Sequence, residues 1–153
     1  MAILFSGSHI QTIDKKGRVT VPAAYRESLG EKFTVGLNGN FTTAAIYPQA
    51  KWETIGEKLA RIPDTDEDGM RYVRLIIGSS FADSTLDGQG RVLVPPTLRK
   101  KAGLLKSVVF VGMGEYFEMW DEDRYFSVIE ADQNDKQLIR HVNETYFSPR
   151  RDE

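Results

Sequence analysis

One segment of this chain occurs twice, and that duplication constrains the fold more than any other feature. Residues 14–30 read D-K-K-G-R-V-T-V-P-A-A-Y-R-E-S-L-G, and residues 87–103 read D-G-Q-G-R-V-L-V-P-P-T-L-R-K-K-A-G. At an ungapped offset of 73, 8 of the 17 positions are identical: Asp14/Asp87, Gly17/Gly90, Arg18/Arg91, Val19/Val92, Val21/Val94, Pro22/Pro95, Arg26/Arg99 and Gly30/Gly103. Unrelated windows of average composition share about one. The identities include glycine and proline, whose backbone roles other residues fill poorly. Self-similarity of this kind marks one supersecondary unit used twice.

Each copy has the same local grammar. A polar turn, Asp-x-x-Gly-Arg, leads into an alternating strand, Arg18 to Val21 or Arg91 to Val94. Pro22 or Pro95 is expected to open a short helix at its first position, where the missing N–H costs nothing. Tyr25 and Leu29, or Leu98 and Ala102, share one face of that helix, and Gly30 or Gly103 ends it. A hairpin follows in each copy. In the first, Phe33-Thr34-Val35 is expected to turn through Asn38-Gly39, the strongest short hairpin signal, into Phe41 to Tyr47. In the second, Val108 to Val111 turns through Gly112-Met113-Gly114 into Tyr116 to Trp120.

Helical spacing marks Trp52 to Ile62, ending at Pro63, and Glu67 to Ile77. Asp121 is expected to cap a helix through Ile129, with another over Asp135 to Val142 and a frayed tail from Ser148. The unit is therefore hairpin, short helix, hairpin, helix. A core unit of about 45 residues is too small to stand alone without disulfides or metal. The two copies are thus expected to share one core about an approximate two-fold axis, an α+β, mainly β architecture. The boundaries read are 8–52 for repeat 1, 53–80 for a helical connector, 82–125 for repeat 2, and 126–153 for a C-terminal helix and tail.

Charge is distributed unevenly over a chain whose net charge is only -2. Residues 9–32 carry five cations against three acids, and residues 82–106 carry five against two. Residues 113–135 carry eight acids and one cation, Arg124. A basic face on an acidic remainder suits a polyanionic partner, because steering follows the local field. A solvated charged face accounts for the same charge map.

The twin D-K-K-G-R-V-T-V-P and D-G-Q-G-R-V-L-V-P motifs, the Y-R-E and L-R-K helix segments, the Trp52 helix and the run Glu118-Met119-Trp120-Asp121 together resemble the MraZ family. The resemblance covers nearly the whole chain. It implies two tandem SpoVT-AbrB-type domains forming a duplicated swapped-hairpin barrel with flanking helices. It further implies a bacterial, cytoplasmic and nucleoid-associated regulator of the division and cell-wall gene cluster, which binds short G-rich repeats in its own promoter as a ring-like homo-oligomer. Arg18 and Arg91 would then face double-stranded DNA, since an arginine fork matches the O6 and N7 acceptors of guanine. Lys15, Lys16, Arg26 and Arg99 would serve as phosphate contacts or local ion pairs. Asp14, Gly17, Asp87 and Gly90 are read as structural turn residues that orient the arginines. Lys15-Lys16 becomes Gly88-Gln89 in the second copy, and Lys100-Lys101 partly compensate on its helix.

Other chemistries find less support. The chain has no cysteine, which removes Cys nucleophiles, disulfides and Cys-based metal sites. Its start, Met1-Ala2-Ile3-Leu4-Phe5, lacks a basic region of the kind a signal peptide carries, and no apolar run approaches the length of a membrane span. Asp64, Asp66, Asp68 and Gly69 imitate the start of a calcium loop, but Leu75 stands where the closing Glu is needed, so helix capping is expected. His9 and His141 have no metal-ligand spacing, and neither a P-loop nor a nucleophile elbow occurs. Trp52, Trp120, Phe110 and Phe117 are expected in the core or at subunit contacts. No catalytic residue, metal, cofactor, small-molecule substrate or membrane partner is assigned. The competing readings are an antitoxin-like regulator holding a toxin, an architectural ring protein whose basic face binds acidic proteins, and a hydrolase using one carboxylate pair among the 22 acids.

Overall fold

A computed structural model of the chain describes residues 1–149. Two compact units divide it, one from Met1 to Glu122 and one from Asp123 onward. In the first unit the strands are β1 (Ser8–Thr12), β2 (Arg18–Thr20), β3 (Phe33–Leu37), β4 (Ala44–Pro48), β5 (Phe81–Ser84), β6 (Arg91–Leu93), β7 (Ser107–Gly112) and β8 (Phe117–Asp121). Between them lie α1 (Ala23–Leu29), α2 (Gln49–Leu59), α3 (Glu67–Ile77) and α4 (Pro96–Ala102). Helix α5 (Glu122–Gln133) begins at the boundary; α6 (Lys136–Val142) and a π-helical turn, Asn143–Phe147, follow in the second unit.

All strand pairing is antiparallel. Six strands form one sheet in the order β1-β7-β8-β4-β3-β5, and β2 pairs with β6 as a separate two-stranded ribbon. Exchanging the repeats maps the six-strand order onto its own reverse, which is what a two-fold axis requires. Two pairs fix that axis, because each joins a residue to its own repeat equivalent: Val19 to Val92 in the ribbon, and Ala45 to Glu118 in the sheet. The offset of 73 carries β2 onto β6, α1 onto α4 and β4 onto β8 residue for residue. The first strand of each repeat pairs with the other repeat, β1 with β7 and β5 with β3. The result is the α+β, duplicated swapped-hairpin barrel that the resemblance implies.

The core lies where the two repeats meet. Val19, Val21, Tyr25 and Leu29 from the first copy are buried with Val92, Val94, Leu98 and Ala102 from the second. Around them close Phe5, Phe33, Ile46, Phe110, Phe117 and Met119. Phe5, Tyr25 and Phe117 form a mutually packed aromatic trio with ring centroids 4.8–5.3 Å apart. Phe110 and Phe117 are core residues; Trp52 is half-buried and stacks on Tyr47 at 5.9 Å, while Trp120 donates its indole N–H to Glu118 at 3.1 Å.

Three local expectations need correction. The Asn38-Gly39 turn is not a two-residue hairpin: β3 and β4 are separated by residues 38–43, and the Asn38 N–H bonds to Thr43 O at 2.8 Å. Phe41 takes a left-handed φ of 61° within it, and its ring packs edge-on to Tyr72. The helix expected from Trp52 to Ile62 starts earlier, at Gln49, directly after Pro48, and ends at Leu59. The helix expected to stop at Ile129 continues to Gln133. The Asp66 carboxylate caps α3 by accepting the Gly69 N–H at 2.8 Å, as capping rather than calcium binding requires. Asp135 likewise caps α6 by accepting the Leu138 N–H at 3.0 Å. The tail expected to fray from Ser148 runs, from residue 150, outside the described residues. Among the described residues no helix is long and apolar enough to cross a membrane.

Candidate nucleic-acid interface

The two Asp-x-x-Gly-Arg turns are built alike. In the first, Asp14 Oδ1 accepts the backbone N–H of Lys16 and of Arg18, each at 2.9 Å, and Oδ2 accepts Arg18 Nε–H at 2.8 Å. In the second, Asp87 Oδ1 accepts the N–H of Gln89 and of Arg91 at 2.9 Å, and Oδ2 accepts Arg91 Nε–H at 2.8 Å. Backbone bonds from Gly17 N–H to Asp14 O and from Gly90 N–H to Asp87 O, both 3.0 Å, close the turns. One carboxylate thus fixes both the loop and the arginine. The Arg18 backbone N–H holds the Asp14 carboxyl below the usual carboxylate range against an opposing effect of desolvation, and the Arg18 guanidinium adds to the lowering. Asp87 is lowered in the same way by the Arg91 N–H and then its guanidinium. Among the described residues the terminal nitrogens of Arg18 and Arg91 donate no hydrogen bond, so each fork has donors to spare.

Glycine at 17 and 90 is demanded by both conformation and space. Their φ values are +87° and +74°. A Cβ at Gly17 would stand 2.7 Å from Val94 O and 3.1 Å from the Arg99 guanidinium carbon. A Cβ at Gly90 would run into the Arg26 guanidinium. Each helix arginine therefore lies across the turn glycine of the opposite repeat. Arg26 Nε–H also bonds to Val21 O at 3.0 Å, whereas Arg99 Nε is buried with no partner among the described residues. Among the described residues neither arginine makes an ion pair, and each packs against the turn glycine of the other repeat. Lys15 and Lys16 are exposed at the tip of the first turn.

The β2–β6 ribbon carries both arginines on one face. Val19 and Val92 are 1% exposed and point inward, so Arg18, Thr20, Arg91 and Leu93 point outward. Ladder bonds from Val94 N–H to Gly17 O at 2.8 Å and from Val21 N–H to Gly90 O at 3.0 Å bracket the ribbon. Hydrogen-bonded and non-hydrogen-bonded pairs alternate, which makes Arg18–Leu93 and Thr20–Arg91 the close, non-hydrogen-bonded kind. Leu93 is aliphatic at an outward position where its repeat equivalent, Thr20, is polar.

The family whose description reads "MraZ protein, putative antitoxin-like" matches residues 4–75 and 82–145, which include both turns and the whole ribbon. The chain belongs to the MraZ family. Relatives named "Transcriptional regulator MraZ" are similar over most of their length. One from Saccharophagus degradans is 37% identical over 138 residues, covering 87% of this chain and 93% of the relative. One from Carboxydothermus hydrogenoformans is 42% identical over 120 residues, 78% of this chain and 82% of its own. The MraZ protein of Lachnoclostridium phytofermentans is 37% identical over 143 residues, 92% and 96% of the two chains.

Proposed function

We propose that this chain is a sequence-specific, double-stranded DNA-binding transcriptional regulator that acts without enzymatic chemistry. The observation that carries the reading is the placement of Arg18 and Arg91, each held by its own aspartate, on the outward face of a two-stranded ribbon. A ribbon of that width fits the major groove, where an arginine fork matches guanine O6 and N7. Fixing Nε on a carboxylate leaves the terminal nitrogens for the base and lowers the entropy lost on binding. Lys15 and Lys16 lie where they can neutralise phosphate beside the Arg18 end, while Gly88-Gln89 leave the Arg91 end less charged. Arg26 and Arg99, half-buried over the opposite turns, contribute mainly by keeping the two ends rigidly spaced.

The name of the relatives, transcriptional regulator, supports the same reading. The family resemblance extends it to the chain's own promoter in the division and cell-wall cluster, to G-rich repeats, and to a cytoplasmic, nucleoid-associated ring of copies. One ribbon offers a small basic surface, so useful affinity comes from several copies engaging several repeats at once. The domain limits 8–52, 53–80, 82–125 and 126–153 belong to this proposal, with the DNA surface supplied by the two repeats.

The test is a binding titration of the DNA upstream of the chain's own gene with wild type, Arg18→Ala and Arg91→Ala, at several salt concentrations. Each lost guanine contact is expected to cost about 1–3 kcal/mol and to relax base preference. Unchanged affinity in both variants would refute the site, and binding without salt dependence would refute the function. The antitoxin-like wording of the family description favours one second reading, a DNA-binding regulator that also holds a toxin. Co-purification of a stoichiometric protein encoded by an adjacent gene would decide for it.

A further inference from the structure

The outer face of the β2–β6 ribbon breaks the usual alternation of an exposed strand. Polar groups belong outside and aliphatic ones inside, yet Leu93 is 55% exposed between strands whose inward valines already fill the core. Its position is central: it stands directly across from Arg18, one residue from the two-fold axis at Val19 and Val92. Its repeat equivalent across the axis, Thr20, stands opposite Arg91. The ribbon is therefore symmetric in its arginines and asymmetric in their neighbours.

We propose that Leu93 reads the 5-methyl group of a thymine next to the guanine met by Arg18, and so fixes which way round the chain lies on its DNA. This rests on the DNA-binding reading above and deepens it. Non-hydrogen-bonded cross-strand neighbours have Cβ atoms about 5 Å apart, and successive base pairs rise about 3.4 Å. Side chains at that spacing address adjacent base steps. The thymine methyl is the one apolar group on the floor of the major groove, and apolar side chains are its usual readers. Leucine covers it fully. Threonine at the other end offers one methyl on a shorter stem and a hydroxyl that accepts any base edge, so the Arg91 end discriminates less. Lys15 and Lys16 add charge to the same end as Arg18. The end of the ribbon that holds more phosphate is thus also the end that reads the methyl group.

The experiment uses the duplex that the full-length wild-type chain selects from a randomised pool. Each thymine is replaced in turn by deoxyuridine, which removes only the methyl group. One thymine flanking a guanine is expected to lose about fourfold in affinity on replacement, the value of one buried methyl. In Leu93→Ala the same replacement is expected to change nothing, while Thr20→Ala retains the fourfold effect. Because Leu93 is an exposed position, an unchanged unfolding midpoint in Leu93→Ala confirms that the fold is intact. The proposal is overturned if no deoxyuridine substitution weakens wild-type binding, or if Leu93→Ala remains as sensitive as wild type. Failure to select any duplex overturns the DNA-binding reading itself, and the proposal with it.

Discussion

Replacing Gly17 with alanine tests the closest approach between the two repeats. Its φ of +87° costs a residue with a Cβ about 1–2 kcal/mol. The new Cβ would also sit 2.7 Å from Val94 O, nearer than such atoms come in real structures. The Val94 strand cannot simply retreat, because its N–H is the donor to Gly17 O at 2.8 Å. Relief therefore sacrifices a ladder bond, worth about 1 kcal/mol. The sum is about 2–3 kcal/mol. Gly103→Ala supplies the reference: φ there is +66°, and nothing lies within 4 Å of the added Cβ, so only the backbone penalty of about 1–2 kcal/mol applies. Urea unfolding at one fixed protomer concentration, with m unchanged, reads both values. If Gly17→Ala costs no more than Gly103→Ala, the contact between the first turn and the second repeat does not constrain the ribbon as described.

Acid should loosen both turns before it unfolds the chain. Asp14 and Asp87 have lowered folded pKa values, so their contribution is complete above the unfolded value of 3.8 and disappears as pH falls through the folded values. The Arg18 and Arg91 Nε–H resonances in NMR spectra are expected to hold their chemical shifts at mildly acidic pH and lose them below 3.8. At the alkaline end, burial raises Tyr47, Tyr116 and Tyr25 above their ordinary value of 10.0. The stability they confer is present below 10.0 and is lost as pH rises through the folded values. Ultraviolet titration should therefore show these phenols ionising together with unfolding rather than ahead of it. Thr34 and Thr43 each bury an Oγ1 without a partner among the described residues, so Thr34→Val and Thr43→Val are expected to raise the unfolding free energy by up to about 1 kcal/mol. A drop of comparable size would show that the hydroxyls are satisfied after all.

Local chemistry made some of this legible in the amino-acid order. The Asp-x-x-Gly-Arg turns and the helix over Glu67 to Ile77 follow from spacing and backbone preference alone, and they stand where those preferences put them, whereas Pro22 and Pro95 lie one residue before the first helical position, as extended N-caps. The Asn38-Gly39 signal misled because a dipeptide preference is weak against tertiary packing: the loop lengthens to seat Phe41 against Tyr72. Strand β5 carried almost no pattern, since three of its four residues are exposed and its pairing with β3 shifts register near Asp83, at φ 56°. The packing of Arg26 over Gly90 and of Arg99 over Gly17 joins residues more than 60 positions apart, and neither partner hints at the other. Leu93 became noticeable only once the ribbon's inner and outer faces were known.

The pairing of β1 with β7 has a consequence for how the protein is made. Ser8–Thr12 leave the ribosome early, but their hydrogen-bonding partner, Ser107–Gly112, is synthesised about a hundred residues later. In the meantime β1 has no partner strand for its sheet edge, although β3 and β4 can already pair. Strand β4, with every residue destined for burial, can pair with β3 at once, but its other edge waits for β8. Non-local pairing of this kind folds slowly and exposes unpaired strands while it waits. The nascent first repeat is thus a natural client for a chaperone, and a chain truncated before β7 should be cleared as misfolded rather than survive as half a regulator.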